Sequence, residues 1–279
     1  MTCANQERFQ RLLSTRLLNS CISGDLKETT KLIKIGANVN LAEDNDGFTP
    51  LVLAILNGHI ETVKFLIASG VNVNQINQKQ RDPLSQKYGR HGVGLGSTPL
   101  CIAASIEDNI EMVKLLIASG GNINQANEDG STPLHSASNF GNLEIVKLLI
   151  ASGGNVNQAS NYYHGWTPLH YASMSGHSEV VNILVAAGAE VDKTDHYDET
   201  SLHEASRNGR FEVVKSLIRA KADVRIVNNL GKSPVDVANT TEIRQYIHEH
   251  HPWQRRRPLI LTRPHVDHAT NADHRLTAL

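Results

Sequence analysis

A tripeptide that recurs at nearly constant spacing limits the possible folds of this chain more than any other feature. Counted from the second copy, at Thr98, the following copies start at intervals of 34, 35, 33 and 33 residues. A fixed period of about 33 residues indicates a solenoid built from stacked supersecondary units. The intact copies of Thr-Pro-Leu start at Thr49, Thr98, Thr132 and Thr167, and degenerate copies start at Thr200 and Ser233.

A second phrase follows each tripeptide and predicts two short antiparallel helices per unit. It is apolar at helical spacing and ends on glycine in its clearest copies, at 60–70, 110–120 and 143–153. Threonine is a favoured N-cap, and proline fits the first helical position, where its missing N–H would have no partner. Glycine suits the left-handed turn that ends a helix. Each unit leaves apolar surface that only its neighbours can cover.

The phrases Thr-Pro-Leu-His-x-Ala, from Thr132 and Thr167, and Glu-Ile-Val-Lys-Leu-Leu, from Glu144, resemble the consensus of the ankyrin repeat family. The match covers roughly residues 16–249. The resemblance implies an all-α ankyrin-repeat solenoid of about seven stacked helix-turn-helix modules with hairpin-like loops. We therefore predict an N-terminal lead-in over 1–14, a repeat domain over 15–249 and an extended tail containing His, Arg and Pro over 250–279.

The ends of the repeat array and one insertion depart from the pattern. Residues 17–40 lack Thr-Pro-Leu and are interpreted as the atypical first module that shields an open end. In the last module, we predict a first helix over 234–238 and a second over 242–247. The first interval of 49 residues includes a polar, glycine-rich insertion over 77–96, which predicts a mobile loop between modules two and three.

The histidine after Thr-Pro-Leu is present as His135, His170 and His203 and is replaced by Val52 and Cys101. The resemblance implies that this imidazole bonds the threonine and the neighbouring loop. One histidine per module is too sparse to share an ion, whose ligands lie within about 2.0–2.1 Å. We therefore expect neither a metal site nor another cofactor.

Composition limits the classes of partner and the cellular compartments that we expect for this chain. The 27 basic and 28 acidic residues give no overall basic excess of the kind that proteins bound to nucleic acid or an anionic membrane usually show. Three scattered cysteines, Cys3, Cys21 and Cys101, fit reduced thiols. The sequence has no apolar run of about 18 residues and no secretory signal. We expect an intracellular, cytoplasmic protein without membrane association, with the nucleus as the other compartment to consider.

The resemblance implies that the chain binds another protein through the concave helix face and the hairpin tips. Modules differ most just before Thr-Pro-Leu and late in the first helix, and aromatic residues gather in the middle of the chain. Tyrosine and tryptophan favour interaction hot spots. The competing interpretation is that these rings pack on their own loop or on the next module. The predicted contact residues are Phe48, Leu56, Ile106, Phe140, Tyr162, Tyr163, His164, Trp166, Tyr171, Met174, His196, Tyr197 and Arg207.

The sequence thus favours a non-enzymatic, monomeric interaction module that acts as scaffold, adaptor or inhibitor. It contains no catalytic motif such as Gly-x-Ser-x-Gly or a Walker loop. The alternative is a regulator with a nuclear or nucleic-acid role through the arginine run 255–257. The resemblance also implies asparaginyl hydroxylation as a possible modification of Asn74, Asn124 or Asn157.

Overall fold

The computed structural model describes residues 3–42, 47–77, 96–161 and 165–250, and over these ranges the chain forms thirteen helices. In chain order they are α1 (Cys3–Ser23), α2 (Leu26–Lys34), α3 (Pro50–Leu56), α4 (Ile60–Ala68), α5 (Pro99–Ser105), α6 (Ile110–Ala118), α7 (Pro133–Phe140), α8 (Leu143–Ala151), α9 (Pro168–Ser175), α10 (Ser178–Ala186), α11 (Ser201–Arg207), α12 (Phe211–Arg219) and α13 (Thr241–His250). From α1 to α12 they alternate between first and second helices of successive modules, and α13 is the second helix of the last module.

The predicted caps start the first helices. Thr49 Oγ1 accepts a hydrogen bond from Val52 N (3.3 Å), and Thr98 Oγ1 accepts one from Cys101 N (3.1 Å). Proline occupies the first position of α3, α5, α7 and α9. Because these helices have only seven or eight residues, most of their stability comes from packing rather than from helix propensity.

One continuous apolar core runs from Leu13 to Ile247 through the stacked helices. Each of α3, α5, α7 and α9 packs on the first helices before and after it, α11 packs on α9, and the second helices form a layer of their own beside them. Every second helix from α4 to α12 buries the same pair, at Val63 and Leu66, Val113 and Leu116, Val146 and Leu149, Val181 and Leu184, and Val214 and Leu217. The stacked solenoid predicted from the repeat is confirmed.

Hairpin-like loops join consecutive modules, as predicted. Four of them are closed by a backbone hydrogen bond across the base, and within the described ranges the loops form no strand beyond one isolated bridge between Thr194 and Thr200. The closing bonds are Asn127 N to Ser131 O (2.9 Å), Ser160 N to Trp166 O (2.8 Å), Asp195 N to Glu199 O (2.9 Å) and Asn228 N to Lys232 O (2.9 Å).

A ladder of asparagines connects the ends of the second helices. Asn74 Oδ1 accepts from Asn122 N at 2.8 Å, and Asn74 Nδ2 donates to Gly120 O at 2.9 Å. Asn124 and Asn157 repeat both bonds one and two modules later. These three asparagines therefore bridge modules, and their hydroxylation stays a prediction.

The two ends differ from the sequence-based expectation. Residues 234–237 form a single turn instead of the predicted helix, because Asn239 N bonds Ser206 O of the preceding module (3.0 Å) rather than continuing a helical ladder. At the other end, α1 runs from Cys3 across the predicted boundary at residue 15, and Leu13 belongs to the core. Most of the predicted loop, 78–95, and the tail from 251 lie outside the described residues.

Candidate protein-binding surface

Three buried histidines link α7, α9 and α11 each to the hairpin that follows. Thr132 N donates to His135 Nδ1 (3.0 Å), so the proton of the neutral ring sits on Nε2, which donates to Gln158 O (3.0 Å) and Trp166 O (3.2 Å). His170 reaches Glu199 O (3.2 Å) in the same way, and His203 reaches Lys232 O (3.1 Å). The structural role implied by the family resemblance is confirmed.

Burial keeps these imidazoles neutral. It lowers the pKa of His135 and of His170 to about 4, and it lowers the pKa of His203 as well. In the part of the chain that the structure describes, no group of three or more His, Cys, Asp or Glu side chains is arranged to hold a metal ion. The histidines therefore connect modules.

The central aromatic residues pack between modules. Trp166 is 7% exposed and its Nε1 donates to Asp195 Oδ2 of the next hairpin (3.0 Å). Its ring meets Tyr171 edge-on at 5.3 Å between centroids, and Tyr171 meets His135 at 5.5 Å. The predicted exposure of Trp166 and Tyr171 is wrong, because these rings fill the junction between two hairpins.

The other predicted contact residues fall into four groups. Phe48 and Leu56 are buried in the core, so their predicted exposure is also wrong. Tyr162, Tyr163 and His164 lie outside the described residues. The half-buried residues late in the first helices are Ile106, Phe140, Met174 and Arg207, and the exposed residues are His196 and Tyr197.

Two adjoining hairpin tips present the clearest apolar surface at the C-terminal half. Asn229 N donates to Tyr197 O (2.9 Å), which holds the tips together. Tyr197 is 46% exposed, Leu230 is 75% exposed, and Val227 is exposed beside them. Sequence reasoning missed Leu230 and Val227, although the Asn-Asn-Leu-Gly run at the tip places an apolar residue where turn residues are expected. We call Tyr197, Val227 and Leu230 the fingertip patch.

A charged network lies on α11 behind the second of these hairpins. Arg207 Nη1 donates to Glu199 Oε2 (2.6 Å) and to Glu204 Oε1 (2.5 Å), and Asn228 Nδ2 donates to Glu199 Oε1 (2.7 Å). Burial, followed by contact with Glu199, raises the pKa of Glu204 to about 7. Burial also opposes ionisation of Glu199, but hydrogen bonds from Arg207 and Asn228 outweigh it and hold the pKa at about 2. The network fixes both hairpins to α11.

Stacked helix pairs, hairpins on one side and a continuous core define an α-solenoid repeat protein. The family described as "Ankyrin repeats (3 copies)" matches residues 4–77, 79–160, 100–195 and 155–229. Because these matches span most of the sequence, the chain belongs to the ankyrin repeat family. The ankyrin repeat domain of human ASB11 superimposes with a TM-score of 0.68 and 28% identity, over 84% of this chain and 97% of that one.

Similarity to curated proteins is confined to a shorter segment. "Arf-GAP with coiled-coil, ANK repeat and PH domain-containing protein 2" from Rattus norvegicus is 34% identical over 84 residues, which is 30% of this chain and 10% of that protein. The Homo sapiens protein of the same name is 33% identical over the same length. The chain thus spans about a tenth of the length of these relatives. None of the helices within the described ranges is long and apolar enough to cross a bilayer.

Proposed function

We propose that the chain is a non-enzymatic interaction module that binds a partner protein through the fingertip patch and the adjoining concave helix face. The observation that carries the proposal is the exposure of Leu230 and Tyr197 on two hairpins that a backbone hydrogen bond holds together. Large apolar side chains fixed on a rigid scaffold can anchor a partner without a large ordering cost.

The concave face extends this surface along the stack. Met174 and Arg207 are half-buried at equivalent positions, late in α9 and α11. Ser175 Oγ donates to Asn139 Oδ1 (2.9 Å), which ties the same strip to α7. A polar strip around an apolar anchor is the arrangement typical of protein interfaces. Trp166 supports the hairpin that carries Tyr197, since its indole N–H donates to Asp195 and its ring packs edge-on against Tyr171.

Quantitative affinity purification of the full chain tests the proposal. We expect a Tyr197→Ala, Leu230→Ser double variant to lose the most enriched partner by at least about tenfold, because each side chain removed is an exposed anchor. The matched control is Leu41→Ser, which removes an apolar side chain exposed elsewhere, on the first module. The control should keep the partner set of the unchanged chain.

Thermal unfolding of both variants separates binding from folding. Since these side chains lie on the surface, each variant should unfold within a few degrees of the parent. An unchanged partner set in a folded double variant would refute the fingertip patch. Equal losses in the double variant and in Leu41→Ser would also count against it.

A further inference from the structure

The N-terminal end of the solenoid carries a second apolar surface, on the flank of α1 that faces away from the stack. Leu13, Leu17 and Leu18 are buried in the core. On the other flank Phe9 is 48% exposed and Leu12 is 58% exposed. These two residues are three positions apart, so they lie on one helical face.

This flank differs from the first-helix flanks inside the array. Each of α3, α5, α7 and α9 packs between two first helices, whereas the main contacts of α1 are with α2 and α3. The helix is also 21 residues long, against seven or eight for those within the stack. The end module of a solenoid normally has a polar outer face. Here Ile22, Leu26 and Ile35 are exposed as well.

The same end carries an excess of positive charge. Between Cys3 and Ile35 six basic residues face three acidic ones, Glu7, Asp25 and Glu28, although the whole chain has a formal charge of −1. Arg16 is paired with Glu28. Neither Arg8 nor Arg11 forms an ion pair with any described side chain, and both are exposed beside Phe9 and Leu12.

We propose that this exposed flank of α1 binds an acidic amphipathic helix of a partner protein. On its opposite flank the same helix is covered by another helix, α3. Phe9 and Leu12 would receive apolar side chains at helical spacing, and Arg8 and Arg11 would attract carboxylates around them.

Two other occupants fit the charges less well. A second copy of the chain placed flank to flank would bring like charges together, which costs several kcal/mol at an interface. A flat anionic bilayer would meet Asp25 as well as the basic residues, since Asp25 is exposed between the two helices. Charge complementarity therefore favours a helix that places its carboxylates against Arg8 and Arg11.

Fluorescence anisotropy with synthetic helices tests the proposal on the full chain. The probe is a labelled amphipathic peptide of about 18 residues, with leucine on one face and glutamate on the rest. The matched probe has lysine in place of glutamate. We expect the glutamate peptide to bind at least about tenfold more tightly than the lysine peptide at low salt, and salt to weaken its binding. Equal affinities, or no binding of the glutamate peptide, would overturn the proposal.

Variants locate the binding on α1. Phe9→Ser with Leu12→Ser should weaken glutamate-peptide binding by about tenfold or more, whereas Leu230→Ser at the far end of the chain should leave it unchanged. Arg8→Glu with Arg11→Glu should reverse the preference and favour the lysine peptide. Circular dichroism checks that all variants keep the parent helix content, which surface positions permit. An effect of Leu230→Ser as large as that of the α1 variants would refute the assignment.

The remaining occupants give distinct outcomes. If the chain co-sediments with phosphatidylserine vesicles through Phe9 and Leu12 and does not bind the peptide, the flank binds a membrane. If sedimentation velocity shows a dimer that the Phe9→Ser, Leu12→Ser variant loses, the flank binds a second copy of the chain. Either result overturns the proposal, and neither bears on the fingertip patch at the other end.

Discussion

The junctions between modules differ in the side chain that crosses them from the first helix. From α7 onward a buried histidine donates to carbonyls of the next hairpin, whereas α3 and α5 have Val52 and Cys101 at that position. Cys101 Sγ lies 4.0 Å from Gln125 O and 3.9 Å from Ser131 O, the counterparts of the carbonyls that His135 reaches. A thiol is a weak donor, so this link is weaker than the imidazole link.

The side chains just before the second helices also differ between junctions. The residue before most second helices reaches back to the preceding module, as His59 does to Ile22 O (2.9 Å) and His177 to Asn139 O (3.0 Å). Asn142 and Arg210 make the corresponding bonds. Asn109, however, bonds Ala103 O within its own module (3.2 Å).

The junction between α3 and α5 therefore has neither link among the described residues, and the insertion enters the chain there. The asparagine ladder crosses it through Asn74, whose backbone carbonyl also accepts a hydrogen bond from Gln125 Nε2 (3.1 Å). Stability in a solenoid is approximately a sum of module and neighbour terms. We infer that residues 3–77 and 96–250 form two blocks that separate most easily at this junction.

Acid should produce the largest effect, and it should act on the second block. His135 and His170 have native pKa values of about 4, below the value of 6.5 for an exposed histidine. As the pH falls below about 6.5, the unfolded chain takes up protons first, so stability is lost down to about pH 4. Each residue accounts for about 3 kcal/mol of that loss. Glu204, with its raised native pKa of about 7, opposes part of it.

Urea unfolding at a series of pH values measures this dependence. We expect the free energy of unfolding to fall by about 3 kcal/mol between pH 7 and pH 4, because the loss of about 6 kcal/mol from the two histidines exceeds the gain of about 3 kcal/mol from Glu204. The buried histidines of the described residues lie in the second block, 96–250, and so does Trp166. The native fluorescence of Trp166 should therefore be lost as these histidines become protonated. A free energy that stays flat over this range would contradict neutral, buried imidazoles.

Substituting one linking histidine should have the next largest effect. His170→Val, which copies the residue of α3, removes the bond to Glu199 O and should cost about 3 kcal/mol through lost hydrogen bonds and a partly filled cavity. Cys101→Val is the matched change at a weak link and should cost less than about 1 kcal/mol. Equal losses in urea unfolding would show that the two positions contribute alike.

Introducing a histidine where α5 has Cys101 should raise the free energy of unfolding by a smaller amount. Cys101→His places an imidazole toward Gln125 O and Ser131 O, and we expect about 1 kcal/mol of added stability from the new hydrogen bonds. The same substitution at buried Cys21, which stands outside the Thr-Pro-Leu motif, serves as the control and should destabilise the chain by overpacking. Destabilisation at Cys101 as well would mean that the site cannot accept the link.

The smallest effect concerns one turn at the weak junction. Asp108 has φ of 56°, in the left-handed region, where the other modules have Gly58, Gly141, Gly176 and Gly209. Asp108→Gly relieves this strain, and the added freedom of the unfolded chain offsets part of the gain, so we expect about 0.5 kcal/mol. Thermal unfolding of Gly141→Asp, the reverse change, should show a loss. A gain from both substitutions would exclude backbone strain as the cause.

Local repetition made most of the fold predictable. Thr-Pro-Leu, the glycines that end the second helices and the Asn-x-Asn sequences recur in successive modules, and each makes the same kind of contact every time. One repeated pattern therefore predicts the helix caps, the buried apolar positions and the asparagine ladder together. The role of His135 followed from the family resemblance. The turn at 234–237 was missed, because its outcome depends on the bond from Asn239 to the preceding module.

The binding surface was less predictable because exposure depends on contacts between distant residues. Trp166 is at a variable position, yet Asp195, which lies 29 residues later, gives its indole N–H a buried partner. Leu230 resembles any apolar residue in the sequence, and only the register of two adjacent hairpins shows that nothing described covers it. Variation between modules therefore did not indicate which side chains are exposed.

Hydrogen exchange of the full chain, followed by mass spectrometry at neutral pH, tests the division into two blocks most directly. If the junction after α3 and α4 is the weak one, amides of these helices should exchange through an opening about 2 kcal/mol lower in free energy than amides of α7 to α12. Uniform protection across both sets of helices would contradict the two-block description. Lower protection in α7 to α12 would contradict the stabilising role of the histidine links.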